Sequence, residues 1–200
     1  MTQPDAATDA LKAALRAEVQ GRISALDAES HREKSRLAVQ RLLDHPLYQN
    51  ARTILAYNSF RLELSTESLL AACARDGKTL ALPRTHSISR RLSVRKITDL
   101  SIDTEFSRFG FREPKRSAET ILVPEVDLVV APGVAFDLSG NRLGRGAGYY
   151  DRFFANEGFN AAACALSFEC QIIPSIPTLP HDRAMDFIFT EDRTLEFKKR

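Results

Sequence analysis

The sequence predicts an α/β fold in three layers, a mostly parallel sheet with helices on both faces, and three observations carry that expectation. Short apolar runs, "TILAYNS", "TLALP", "VDLVVAP", "AAACALSF" and "DFIFT", recur along the chain. Segments of helical period lie between them, and strands alternating with helices favour a parallel sheet covered on both sides. The 200 residues, 44% of them hydrophobic, suffice for one core without repeats or low-complexity stretches, so residues 1–200 are expected to form a single domain.

The elements follow in order. Over residues 9–25, Leu11, Leu15, Val19, Ile23 and Leu26 recur three or four apart, which predicts an amphipathic helix capped by Thr8 or Asp9. Lys12 and Arg16 sit one turn apart on it, and periodicity alone makes them the solvated basic face of a docking helix. A second helix is predicted from about Glu29 to Leu43, ending before "DHPLY", where Pro46 disfavours helical geometry at His45. The run at 53–59 reads as a strand. "STESLLAACARDG" reads as a helix with Ser65 or Thr66 as cap, Glu67 in its first turn and Gly77 as its stop. A strand at 79–83, a polar strand or hairpin around "RRLSVRKI" and a loop-rich stretch through "FGFREPKRS" come next. A strand at 126–132, a glycine-rich loop, a helix from about Ala147 to Asn156 and strands at 161–168 and 186–190 complete the series.

Composition excludes several classes. A formal charge of +2 is too small for a nucleic-acid or membrane-surface protein, so any anion site must be local. No apolar run approaches the length of a membrane span, and the N-terminus lacks the basic start and apolar middle of a secretory signal, making the cytoplasm the expected compartment. Cys73, Cys164 and Cys170 form neither a disulfide framework nor a zinc pattern and read as buried thiols.

In open α/β sheets ligands bind beyond the carboxyl ends of the strands, where "NSFRLE", "PRTH", "SFECQ" and the loop "NRLGRGAGYYDRFF" fall. Gly144, Gly146 and Gly148 allow positive φ and close approach of a ligand to the backbone, and the following helix adds unpaired N–H groups and its positive dipole end. Arg142 and Arg145 add charge, so the loop suits a polyphosphate or a carboxylate. Its spacing matches neither the P-loop nor the dinucleotide fingerprint, and a tight strand-to-helix turn explains the glycines equally well. Asp151 is either a helix-stabilising acid or a magnesium ligand beside phosphate. Asp182 is a second candidate carboxylate, and His181 reads as a loop histidine outside any nucleophilic triad.

The segment "PGVAFDLSGNRLGRGAGYYDRFF", followed by "HDRAMDFIFT", resembles the ATP-dependent 5-formyltetrahydrofolate cyclo-ligase (5,10-methenyltetrahydrofolate synthetase) family. "YNSFRLELST", "LALPR", "FREP" and "SFECQ" appear in the same order, so the resemblance spans nearly the whole chain. It implies a fold related to ribose-5-phosphate isomerases and CoA transferases. The implied reaction converts 5-formyltetrahydrofolate, ATP and Mg²⁺ into 5,10-methenyltetrahydrofolate, ADP and phosphate, carried out by a monomer on small molecules. Carried over by position, ATP contacts fall on Lys12, Arg16 and the loop Arg142, Leu143, Gly144, Arg145, Gly146, Ala147, Gly148, Tyr149 and Tyr150. Folate contacts fall on Asn58, Glu63, Arg145, Gly146, Ala147, Gly148 and Tyr149, and magnesium ligands on Asp151 and Asp182. Arg145, Lys12 and Tyr150 are the implied catalytic set, and Arg84, Phe111 and Gln171 the implied pocket lining. Ala147 stands where many relatives carry glycine or lysine, and Asn58 stands at a variable position.

Overall fold

Alternate burial along the apolar runs decides which side of the sheet each element covers. The computed structural model describes residues 6–107, 110–179 and 182–197. In chain order it contains α1 (Ala6–Ser24), α2 (Ala28–Leu43), α3 (Pro46–Asn50), β1 (Thr53–Leu55), α4 (Glu67–Arg75), β2 (Thr79–His86), β3 (Arg91–Ile97), α5 (Leu100–Asp103), β4 (Thr104–Phe106) and β5 (Arg112–Pro114). There follow β6 (Thr120–Ile121), β7 (Leu128–Val130), β8 (Ala135–Asp137), β9 (Arg142–Leu143), α6 (Tyr149–Phe154), β10 (Ala162–Leu166), β11 (Ile172–Ile173), β12 (Phe187–Phe189) and β13 (Thr194–Glu196).

Eight strands form the central sheet in the order β13-β12-β10-β7-β1-β2-β3-β6. Its middle, β12, β10, β7, β1 and β2, is parallel; β13, β3 and β6 join antiparallel at the edges. On one face Ile54, Leu128, Val130, Cys164 and Leu166 pack against α1, α2 and α4 through Val19, Ile23, Val39, Leu42, Leu69 and Cys73. The residues between them, Leu55, Val129, Ala163 and Ala165, point the other way against Tyr150, Phe153 and Phe154 of α6. Side chains alternate across a strand with period two, so each central strand feeds both cores. Each fully buried leucine or isoleucine contributes about 1.5–3 kcal/mol.

The three-layer arrangement agrees with expectation, but the layers are unequal. One face carries three longer helices, whereas the other is covered by the six-residue α6 and an aromatic cluster in which Phe159 packs edge-on against Phe153 and Phe154. The predicted helix from Ala147 is shorter because Gly148 holds a left-handed φ of 70° at its start, a conformation that interrupts a right-handed helix.

The first helix already runs at Ala6, leaving Thr8 and Asp9 inside it rather than at its cap. Thr66 occupies the N-cap position of α4 without a capping bond. Its hydroxyl instead donates to the Tyr57 carbonyl at 2.7 Å and accepts from the Ser59 N–H at 3.2 Å. Those bonds fold residues 57–66 into a loop where a longer strand was expected. α3, β13 and a small sheet in the order β11-β8-β9 are additional; all but α3 are two or three residues long, too short to show a period.

Candidate active site

The loops after β1, β7 and β9 meet α1 around a cavity of about 530 Å³, within the size range of small-molecule sites. Asp9, Lys12 and Arg16 of α1 line it. Spaced three and four apart, they share one helical stripe with the buried Val19 and Ile23, so the stripe that packs the core lower down overhangs the cavity at its N-terminal end. Lys12 and Arg16 therefore turn inward, against the solvated face that periodicity suggests, and Leu11, expected in the apolar stripe, is half exposed.

The glycine loop forms the opposite wall. Arg16 Nε donates to the Gly144 carbonyl at 2.8 Å, and Arg152 Nη1 donates to the carbonyls of Ala147 and Gly148 at 3.1 and 2.9 Å. Carbonyls are thus tied back by arginines from outside the loop. Gly146 and Gly148 have φ of 97° and 70°, and a Cβ on Gly148 would stand 2.7 Å from Arg152 Nη1. The left-handed backbone requires glycine there, and the close neighbour is only the movable end of the Arg152 side chain. Because α6 has only six residues, its dipole is small, and anion attraction rests on the loop and the arginines.

Three ion pairs cross the cavity lining. Arg142 Nη2 lies 2.6 Å from Asp151 Oδ1, Arg145 Nη2 lies 2.8 Å from Glu63 Oε1, and Lys12 Nζ lies 3.7 Å from Asp182 Oδ2. Arg142 is the most buried of these cations, 5% exposed; its Nη1 donates to the Pro132 carbonyl at 3.2 Å, and its Nε is buried without a partner. The Tyr150 hydroxyl is buried and unpartnered too. Burial pushes that phenol far above its usual range, so it is a proton-bearing donor and no base. Burial also raises the Glu63 carboxyl, against the pull of Arg145 and of the Phe60 N–H.

The remaining wall is aromatic. The rings of Phe60 and Phe111 stand 6.1 Å apart at 60°, with the Arg61 guanidinium 4.9 Å above Phe60. Tyr57, Pro83, Thr85 and Leu92 continue this side. Glu63 joins it to the glycine loop, taking Arg145 on one oxygen and the Phe60 N–H, at 2.9 Å, on the other.

A family model described as "5-formyltetrahydrofolate cyclo-ligase family" matches residues 8–191. The chain belongs to that family. A 5-formyltetrahydrofolate cyclo-ligase of Mus musculus is 33% identical over 190 residues, covering 90% of this chain and 94% of the relative. The Escherichia coli K12 protein of the same name is 28% identical over 181 residues, 90% of this chain and 100% of its own. Among solved structures, Aquifex aeolicus 5,10-methenyltetrahydrofolate synthetase superposes with a TM-score of 0.83 at 26% identity, over 95% of this chain and 94% of that one. The likeness to these proteins thus extends over most of the chain in both sequence and fold.

Within this family member, the cavity gathers all but one of the binding and metal residues predicted from sequence: Lys12, Arg16, Glu63, the loop from Arg142 to Tyr150, Asp151 and Asp182, with Phe111 beside them. Asn58 is half-buried and outside the lining, where its neighbours Tyr57 and Phe60 stand instead. Arg84 points to the other side of β2 from Pro83 and Thr85, as strand alternation demands, and meets Glu105 at 2.7 Å. Gln171 is a buried brace: its amide donates to the carbonyls of Gly133 and Val134 and accepts from the Phe168 N–H. Neither Arg84 nor Gln171 lines the pocket, contrary to the sequence-based expectation. His181 lies outside the described residues.

Sequence reasoning did not single out Asp9, Phe60, Arg61, Thr85 or Leu92. The helical spacing of Asp9 to Lys12 and Arg16 was one available signal, and "NSFRLE" and "PRTH", placed at the strand ends, contain Phe60, Arg61 and Thr85; Leu92 carries no local mark. A larger cavity of about 730 Å³ adjoins through Leu179 and Asp182. Its Arg183 is held by Asp186 at 3.0 Å and lies over Phe159, and it lacks the glycine loop, so the charged groups suited to chemistry belong to the smaller one. The thiols offer no nucleophile: burial raises all three, Cys73 to about 11, which suppresses the reactive thiolate. Among the described residues no group of three or more His, Cys, Asp or Glu gathers to hold a metal, and no helix is long and apolar enough to cross a membrane.

Proposed function

We propose that the chain, acting as a single cyclo-ligase domain and a cytoplasmic monomer, converts 5-formyltetrahydrofolate to 5,10-methenyltetrahydrofolate with ATP and Mg²⁺, releasing ADP and phosphate. The observation that carries the proposal is the set of three ion pairs around the glycine loop. A magnesium–polyphosphate carries both signs of charge. Its phosphates match Lys12, Arg142 and Arg145 and its metal matches Asp151 and Asp182, so the pairs can open without stranding a charge in a partly buried site. The aromatic wall, with Glu63 at its edge, suits a flat heterocycle bearing hydrogen-bond donors.

The formyl group on N5 is an amide, and its oxygen is a poor leaving group. Taking up the γ-phosphoryl group lets that oxygen depart as phosphate while N10 attacks the formyl carbon, closes the ring and gives up its proton to solvent. Such a transfer needs alignment and charge neutralisation more than a protein nucleophile, in keeping with a site that offers arginines and carboxylates but no reactive thiol. Arg145 and Lys12 hold phosphate oxygens, and the loop backbone approaches them closely. Asp151 and Asp182 would hold magnesium, which would supply further neutralisation of phosphate charge. Tyr150, fully protonated, donates its O–H into the site. Glu63 fixes the heterocycle through hydrogen bonds.

The test is spectroscopic: purified protein with 5-formyltetrahydrofolate and Mg²⁺ should form the methenyl product only when ATP is present. Turnover of a phosphosugar or CoA thioester without nucleotide, or no product with ATP, would overturn the reading. Lys12→Ala is expected to raise the KM for ATP roughly 10- to 100-fold, the value of a charge-assisted hydrogen bond, while the KM for the folate stays put. Initial rates with each substrate varied in turn check this.

A further inference from the structure

The β4–β5 hairpin carries part of the active-site wall outside the central sheet. Only three residue pairs long, it cannot hold its own shape in water. Its register sets Glu105 directly opposite Glu113, and like charges on facing strand positions repel. Arg84 of β2 resolves the conflict. Its Nη1 donates to Glu105 Oε1 at 2.7 Å and to the Pro114 carbonyl, and its Nη2 stands 3.7 Å from Glu113 Oε1. The other oxygen of Glu113 accepts from the N–H and hydroxyl of Thr85 at 3.0 and 2.7 Å. Arg84 and Glu113 are both over nine-tenths buried.

This cluster touches the cavity at both ends of its reach. Thr85, which holds Glu113, lines the cavity from β2; Phe111, two residues before Glu113, lines it from the hairpin and packs against Phe60. A buried charge cluster roughly breaks even in stability against apolar residues of equal volume, whereas its directional bonds leave the hairpin one place to sit. We propose that Arg84 and Glu113 are positioning residues: together they set the aromatic wall against the glycine loop and so determine affinity for the ring-bearing substrate, not for the phosphate donor. The proposal rests on the cyclo-ligase reading above.

Glu113→Gln, which keeps the volume and removes the charge, should raise the Kd for 5-formyltetrahydrofolate, measured by calorimetry without ATP, about tenfold, since displacement of a wall by a fraction of an ångström weakens complementarity to that extent. The KM for ATP and kcat should stay within about twofold. A second variant, Arg84→Met with Glu105→Gln and Glu113→Met, removes the charges and keeps the volume; it should retain the melting temperature yet bind the folate as weakly as Glu113→Gln. Hydrogen exchange of the amides of residues 104–106, 112 and 113 should quicken in Glu113→Gln without any substrate. Folate and ATP constants moving together, neither moving, unchanged exchange, or both variants failing to fold would each overturn the positioning role. Absence of product from the wild type would instead overturn the reaction assignment, and the exchange result would still decide whether the clamp exists.

Discussion

Replacing Arg145 with alanine is expected to lower kcat/KM about 100- to 1,000-fold, the range seen when one preorganised donor to developing charge is removed. The side chain is 53% exposed, so the loss should come with little unfolding; its pair with Glu63 is screened and worth about 1 kcal/mol or less. The variant also exposes the tension at Glu63. Burial raises that carboxyl and Arg145 counteracts it, so without the guanidinium the carboxyl rises further. An acid whose folded pKa exceeds its unfolded value binds its proton more tightly when folded. The stability it contributes is therefore present at acid pH and is lost as pH rises through the folded value. Arg145→Ala should accordingly lose more melting temperature at pH 8 than at pH 5, and the acid limb of kcat/KM should move to higher pH. Initial rates and thermal melts across that range measure both. Activity like the wild type would remove Arg145 from the catalytic set.

Asp151→Asn should be the more damaging change overall, because Asp151 pairs with Arg142 and, under the proposed function, would also hold magnesium. If it does, its loss should reduce turnover about 100- to 1,000-fold, comparable to removing an essential charge from a phosphoryl-transfer site, and should shift the Mg²⁺ dependence to higher concentration. As the partner of Arg142 its loss leaves a guanidinium that is 5% exposed with an uncompensated charge. Breaking a fully buried pair costs about 3–5 kcal/mol; Asp151 is itself 36% exposed, so screening reduces the expected cost to about 1–2 kcal/mol. Urea denaturation reads the second effect and magnesium titration of the rate reads the first. An unchanged magnesium dependence with lowered stability would leave Asp151 only its structural task of holding Arg142.

The parts of the fold written in local pattern were legible before the structure. The apolar runs around Ile54, Leu128 and Ala163 announce buried strands, α1 follows from its three-and-four spacing, and α4 from Glu67 in its first turn and the stop at Gly77. The glycine loop was legible because its requirement is local: positive φ at Gly146 and Gly148 excludes side chains whatever surrounds them. Other assignments needed distance. Lys12 and Arg16 belong to two helical stripes at once in the sequence, one solvated and one buried, and only the docking of α1 onto the Gly144 carbonyl selects between them. Arg84 is polar in an apolar strand, which suggests a pocket, yet the carboxylates that claim it come from a hairpin beginning some twenty residues later. Gln171 is similarly claimed by carbonyls of Gly133 and Val134.

By itself the sequence determined the layer order, the anion-suited loop and the absence of a membrane-length apolar run, since each depends on residues adjacent in the chain or one helical turn apart. The tertiary structure alone decided which charges face one another. It paired Arg142 with Asp151, Arg145 with Glu63 and Lys12 with Asp182, and it set Phe60 beside Phe111. The physical reason is that burial and ion pairing are properties of places where separate segments meet, and the energy that chooses among partners exists only once the sheet has brought those segments together.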